Sequence, residues 1–428
     1  MKIWAILMVL GVMGTSFGEN WPHFRGPAWD GTSSETGLPD KLTAGSILWK
    51  LPLPGIGAGT AVVWGERVFV SAADPNSKEI LAYCVNAGDG QVVWRKVVGQ
   101  VASIRNVAAC SAVTDGKIVV FLYGTGEIAA YNVDGKALWQ KNLGDIHGKF
   151  DNKFVYGASP LLYGGHLYIF QSQCVGRREK DKARAKELGL DPLDLGESYL
   201  VCLEPGTGRQ IFKMDRQVKA NGDLWDTYSS PVPARLQGRE VLLTIGASYL
   251  MAHNPGNGKE LWRWRIPYTP KTMPSGRYVP SPCWSGELVY IQTPMHNPLY
   301  ALKTPTEPND APAWTWKTSP DVSSMVVYGG RLYMLNGQGK SLTCFGPADG
   351  KVIWEKRLDT EQIFESSPTV ADGKIYLVSK AGEVLVVAAE KYQELSRLNL
   401  GEKEVQASVA IAGGRLYVHA PKMLYCIK

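Results

Sequence analysis

The sequence predicts an all-β fold, an eight-bladed β-propeller of four-stranded antiparallel blades. Three observations carry the prediction. First, a glycine-containing turn followed by a large apolar residue recurs along the chain: YCVNAGDGQVVW (83–94), AAYNVDGKALW (129–139), VCLEPGTGRQIF (201–212), MAHNPGNGKELW (251–262) and TCFGPADGKVIW (343–354). Second, a hairpin-like unit precedes these turns and continues beyond them, as in VTDGKIVVFLY (113–123), LLYGGHLYIFQ (161–171), CWSGELVYIQ (283–292), VVYGGRLYML (326–335), TVADGKIYLV (369–378) and AIAGGRLYVH (410–419). Third, the two units alternate with a period of about 40–45 residues, which allows four short strands per period. A lone blade of that kind cannot hide both faces. Stacking blades in a ring buries them and leaves only short edges.

Each element follows from the repeat. Gly-containing pairs such as Asp115-Gly116 and Gly329-Gly330 make tight turns between two alternating strands. The hairpins begin near Ala61, Ser111, Ser159, Ser230, Ser281, Ser324, Ser367 and Ser408, which makes eight blades. The last hairpin is followed by only one further strand. SILWKLPL (46–53) has the large residue but no hairpin before it, so the N-terminal strand is expected to complete the C-terminal blade and close the ring. The large residue recurs at Trp49, Trp94, Trp139, Phe212, Trp262, Trp314 or Trp316, and Trp354, where it would fill the space between neighbouring sheets; ELSRLNL (394–400) lacks it. The register also decides Gly206-Thr207-Gly208. A phosphate loop needs a following helix whose N-terminus faces the anion. Here a strand ending in Phe212 follows, and the glycines permit a tight turn.

The chain has 428 residues, 45% hydrophobic and 20% charged, enough to build a sizeable core. A net charge of +6 without a basic arm gives no nucleic-acid signal. Residues 1–18 read as a signal peptide. Lys2 supplies the positive region, Ile3 to Val12 the apolar run, and Ser16-Phe17-Gly18 the small residues before cleavage after Gly18. The apolar run is too short for a stable membrane span. With Cys84 the first cysteine, there is none near the cleavage site to carry a lipid, so a periplasmic or secreted location is expected. Residues 19–45 are read as an irregular segment packed on the ring, and 46–428 as the propeller. Residues 174–198 form an inserted, partly helical loop, read either as a solvated charged helix or as a lid or docking arm. Of seven cysteines, Cys84, Cys202 and Cys344 each lie ten residues before the large residue, and Cys426 fits the same strand. Equivalent positions sit far apart around a ring, so these read as small buried side chains. Cys110, Cys174 and Cys283 are left without an assigned pairing.

The GxGxxxW turn after its short strand resembles the PQQ-like β-propeller repeat, over 46–428. That family includes quinoprotein alcohol dehydrogenases and the outer-membrane assembly scaffold BamB. The opening WPHFRGPAWDGTSSETGLP (21–39) resembles the start of secreted members of uncharacterised function. For the enzymes, the resemblance implies pyrroloquinoline quinone (PQQ) and calcium in the central channel, two adjacent disulfide-bonded cysteines, a catalytic Asp and a Glu/Asn calcium pair. No two cysteines here are adjacent, and no motif places the Asp or the calcium pair. The six histidines are scattered, with no His-Glu-x-x-His, Cys-x-x-Cys or Gly-x-Ser-x-Gly. No catalytic or metal-binding residue is therefore assigned.

Propeller geometry directs the search to the end opposite the hairpin turns. Segments entering each blade there are polar or aromatic, and they nominate Arg105, Asn106, Tyr156, Asp226, Tyr228, Arg277, Tyr278, Asp321, Glu365 and Gln406 as a mixed-charge channel mouth. Such a pocket suits a small polar ligand or a peptide; the plainer reading is that these residues pair with each other and plug the channel. The resulting expectation is an exported, non-catalytic, monomeric ring that binds a protein, peptide or glycan partner through its loop-rich face. The alternative is a PQQ- and calcium-dependent dehydrogenase with a divergent site.

Overall fold

The computed structural model describes residues 18–150, 152–172, 183, 186, 198–216, 226–267, 277–294, 297–305 and 307–428. The expected signal peptide up to residue 17, and all but three positions of the 174–198 insertion, lie outside the described residues.

Eight four-stranded antiparallel sheets form the ring. Blade 3 is representative, with strands Leu161–Tyr163, His166–Gln171, Tyr199–Leu203 and Gln210–Asp215 running from the axis outward. The last blade takes Ala410–Ala412, Arg415–Ala420 and Met423–Ile427 from the C-terminus and Ile47–Pro52 from the N-terminus, with Trp49 opposite Cys426. The N-terminal strand therefore closes the ring, as the strand count predicted. Among the described residues, no helix is long and apolar enough to cross a membrane.

Burial explains the sequence pattern. Third strands such as Tyr199–Leu203 are buried on both faces, so they read as unbroken apolar runs. Outer strands such as Val92–Gln100 are covered on one face only and mix exposed with buried positions. In seven blades the register between the last two strands slips by one residue, in six of them beside the turn that joins the two strands. In blade 3, Leu203 pairs Gln210 and Cys202 pairs Phe212, so Ile211 is the extra residue of a bulge. The same count leaves Leu48, Val93, Leu138, Leu261 and Ile353 without an opposite residue, and all of them are exposed. The bulge turns the large aromatic inward at the cost of pushing one apolar residue outward.

That aromatic joins consecutive blades. Trp94 of blade 1 donates its Nε1–H to Val133 O in the turn of blade 2, at 3.0 Å. Trp49, Trp139, Trp314 and Trp354 repeat the bond with Ala87, Pro205, Pro347 and Glu390. Blade 4 departs from the expectation. Trp262 holds the register position but is only half-buried, while Trp264, two residues on, is 1% exposed and donates to Asp310 O at 2.8 Å. Blade 7 has Ser396 in the register position, and the N-terminal segment fills in: Leu42 N donates to Ser396 Oγ.

Residues 19–45 lie across the hairpin end of the ring. Trp21 pairs with Val63, Thr32 bridges Val370, Leu38 N donates to Asp372 Oδ2, and Glu35 accepts from Gly413 N and Gly414 N. Arg25, 5% exposed, donates to the carbonyls of Asp30, Met325 and Pro368, joining this segment to blades 6 and 7. The cysteines Cys84, Cys202, Cys344 and Cys426 occupy equivalent buried positions as free thiols, and Cys110 and Cys283 are also buried and free. Cys174 lies outside the described residues.

Candidate functional site

The axis of the ring holds a cavity of about 320 Å³. Its inner wall is built by one residue per blade, at the entry to each first strand: Thr60, Ser111, Ser159, Ser230, Ser281, Ser324, Ser367 and Ser408. The backbone N–H of one such residue donates to the hydroxyl of the next blade's. Ser111 N reaches Ser159 Oγ at 3.0 Å and Ser159 N reaches Ser230 Oγ at 2.8 Å. Ser230, Ser281, Ser324 and Ser367 continue the circle at 2.9–3.0 Å, and Ser408 N returns to Thr60 Oγ1 at 3.1 Å. All eight are buried, and all but Ser281 line the cavity. Small hydroxyl residues suit this place because eight chains converge there. The hydroxyl satisfies an N–H that a first strand, at the inner sheet edge, cannot give to a ladder.

Phe24 lines the same cavity from the segment that crosses the hairpin end. The opposite end is the loop-rich mouth, and Phe154 is its hub. Phe154 N–H donates to Tyr228 OH at 3.1 Å, and Phe154 O accepts from Asn106 Nδ2 at 3.2 Å. Three cations surround its ring, with Arg277 Cζ at 4.6 Å, Lys153 Nζ at 5.4 Å and Arg105 Cζ at 5.9 Å from the centroid. Arg277 also pairs with Asp321 at 2.8 Å. Across the mouth, Glu365 receives Lys380 Nζ at 3.2 Å and Gln406 Nε2 at 2.7 Å.

Five of the ten nominated residues line the cavity together: Asn106, Tyr228, Arg277, Glu365 and Gln406. Arg105 is exposed on the rim, and Asp321 stands behind Arg277. The other three do not reach the cavity. Tyr156 packs into the core between blades 2 and 3 with its hydroxyl donating to Phe170 O at 3.0 Å. Tyr278 is buried in the core of blades 4 and 5. Asp226 is 1% exposed and accepts from Lys153 N. Their segments do converge on the axis, but successive side chains of an extended chain point to opposite sides, so alternate residues face the blades. Sequence reasoning missed Phe154, Phe24, Lys380 and the hydroxyl circle. The circle had a signal, a Ser recurring once per period, which marked only where hairpins begin.

A family model described as outer membrane protein assembly factor BamB matches residues 40–176 and 299–395, more than half of the chain. The chain belongs to the PQQ-like β-propeller family. Outer membrane protein assembly factor BamB of Yersinia pestis is 23% identical over 420 residues, covering 90% of this chain and 87% of that protein. The crystal structure of BamB from Moraxella catarrhalis shares the fold with a TM-score of 0.60 at 14% identity, covering 89% of this chain and 98% of that one. A polyvinylalcohol dehydrogenase of a Pseudomonas species is 24% identical over 332 residues; the match covers 73% of this chain but only 46% of that protein.

The quinone–calcium group of the family's enzymes can be tested against this cavity. Calcium takes about six to eight oxygen ligands, with carboxylates prominent among them. Among the described residues Glu365 is the only carboxylate in the lining, and it is already bridged by Lys380 and Gln406. Among the described residues, no group of three or more His, Cys, Asp or Glu side chains is placed to hold a metal. No cysteine side chain among the described residues lines the cavity. This donor set does not fit the calcium-bound quinone.

Proposed function

We propose that the protein is an exported, non-catalytic propeller of the cell envelope that engages a protein partner through its loop-rich face. One observation carries the reading: among the described residues the axial cavity is lined by hydroxyls, aromatic and aliphatic side chains, two amides, one arginine and one carboxylate paired with a lysine. That surface can hold and orient a guest, and among the described residues it offers no nucleophile–base pair and no open metal shell. The likeness to proteins named as outer membrane assembly factors, over most of both chains, supports a partner-binding role and a periplasmic setting. The expected signal peptide agrees with export.

Two measurements test this together. Purified protein mixed with PQQ and calcium is expected to show no stoichiometric quinone absorbance and no dye reduction with alcohols or sugars; binding with turnover would overturn the reading in favour of a dehydrogenase. A photo-crosslinking residue at Arg105, on the loop-rich rim, is expected to capture an envelope protein in cells. The same residue at Gly286, in a hairpin turn at the other end, is expected to capture none. Adducts from Gly286 alone would place the binding face wrongly.

A further inference from the structure

The hydroxyl circle has a property that its structural role does not use. Seven of its oxygens accept one backbone N–H each. Those bonds pin the oxygens but leave the hydroxyl protons unspent. None of the eight hydroxyls donates to an acceptor among the described residues. Ser111 goes further. It is 2% exposed and lines the cavity, and its Oγ has no hydrogen-bond partner at all among the described residues. The circle is open at that joint, between Thr60 and Ser111.

The wall is therefore a belt of donors without acceptors, in a place where an unpaired polar group is costly. Above it, Arg277 lines the cavity and makes one hydrogen bond among the described residues, to Asp321, leaving most of its guanidinium N–H groups uncommitted. Among the described residues the lining carboxylate, Glu365, accepts from Lys380 and Gln406 and from none of these donors. Asn106, Tyr228 and Gln406 add polar groups toward the mouth, and the rest of the lining is apolar, with Phe24, Ala58, Ala109, Val155, Val279 and Val322. A volume of about 320 Å³ is at the small end for ligand cavities.

We infer that the axial cavity is a receptor for a carboxylate carried on a short apolar stem, held by the hydroxyl belt with Arg277 at the entrance. An ionised carboxylate is acceptor-only, with room for about four hydrogen bonds, which is what a belt of donors lacks. Charge-assisted bonds of this kind are roughly twice as strong as neutral ones. The apolar walls account for the stem. Two sources carry this chemistry, a free small organic acid and the C-terminal residue of a polypeptide. The inference rests on the loop-rich face being the binding face, because the mouth is the entrance.

Calorimetric titration of the full protein with three probes tests it: isovalerate, a tripeptide ending in leucine with a free C-terminus, and the same tripeptide as its C-terminal amide. Binding of either carboxylate, with the amide at least about ten-fold weaker, is expected. Isovalerate alone would identify the free acid as the source, and the peptide alone the polypeptide terminus. Arg277→Gln is expected to weaken the carboxylate about ten-fold or more and Arg277→Lys by less, with melting temperatures showing that both variants fold. Amide and acid binding equally, no binding by any probe, or Arg277→Gln binding unchanged would each overturn the inference. The crosslink at Arg105 separates this failure from that of the function proposed above. If the adduct forms and no carboxylate binds, the face is right and the receptor is wrong.

Discussion

The indole of Trp139, at the outer edge of blade 2, lies flat against Gly208 in the turn of blade 3, and its Nε1–H donates to Pro205 O at 2.7 Å. A Cβ on Gly208 would stand 2.6 Å from the indole carbons, inside any real contact distance. The backbone there has φ +67°. Gly90, Gly135 and Gly350 meet Trp49, Trp94 and Trp314 in the same way, and Gly258 meets Phe212. The glycine of the turn is thus set by two demands at once, a left-handed backbone and the face of its neighbour's aromatic.

Gly206 in the same turn is under neither demand, since nothing lies within 4 Å of a Cβ built there. Gly208→Ala is therefore expected to cost roughly 2–3 kcal/mol, from left-handed strain and overpacking. Gly206→Ala is expected to change stability by less than about 0.5 kcal/mol. Denaturant midpoints of the two variants decide it. Equal midpoints would mean that the aromatic contact does not hold the blades together.

Blade 4 offers a second comparison within one strand. Trp264 is buried and hydrogen-bonded to Asp310 O, while Trp262, in the register position, is half-buried. Trp264→Ala is expected to cost about 3–5 kcal/mol, as deletions of buried aromatics do. Trp262→Ala should cost about half of that. A larger loss for Trp262 in thermal or denaturant unfolding would restore the assignment made from the repeat alone.

The ring, its blade count and its closure were legible because each rests on a period, and a period survives local irregularity. Trp262 shows the limit: spacing finds the register position, but the depth of burial depends on the next blade's turn, which here brings Asp310 within reach of Trp264 instead. The mouth was legible only by segment. Arg277, Glu365 and Gln406 face the channel, while Tyr278, beside Arg277 in the same segment, and Tyr156, in the equivalent segment of blade 3, face the blades. Without regular strand alternation in those entries, the sequence does not say which residue of a pair points inward. Phe24 was out of reach, because the cavity it lines is assembled from the entry segments of every blade and no neighbour in sequence announces it.

The hydroxyl circle predicts an asymmetry between two serines. Ser324→Ala removes the acceptor for Ser281 N and leaves that buried N–H unpaired. The expected loss is about 1–3 kcal/mol. Among the described residues no bond to Ser111 Oγ exists to be lost, so Ser111→Ala is expected to be neutral within about 0.5 kcal/mol. Melting curves of the two single variants check this, and equal losses would show that the circle is closed at the Ser111 joint as well.

Three buried histidines predict how the ring responds to acid. Burial holds His23, His253 and His419 near a pKa of about 4, against 6.5 in an open chain. His419 Nδ1 faces Gly59 O at 2.7 Å and so carries the proton, which leaves its Nε2 as the site that must charge. His253 is fixed likewise between Gly258 O and Thr244 Oγ1. The folded-state values are depressed, so between pH 6.5 and 4 the unfolded chain binds more protons than the folded one. Stability is then fully present above pH 6.5 and is lost as pH falls toward 4. The loss between pH 7 and 5 should be on the order of 2 kcal/mol per histidine. His419→Asn keeps a donor for Gly59 O and removes the titration. Its stability, measured by denaturant unfolding from pH 7 to pH 5, is expected to fall less steeply than that of the unmodified protein, by up to one proton's worth of slope. A slope unchanged by the substitution would mean that His419 is already protonated in the folded ring.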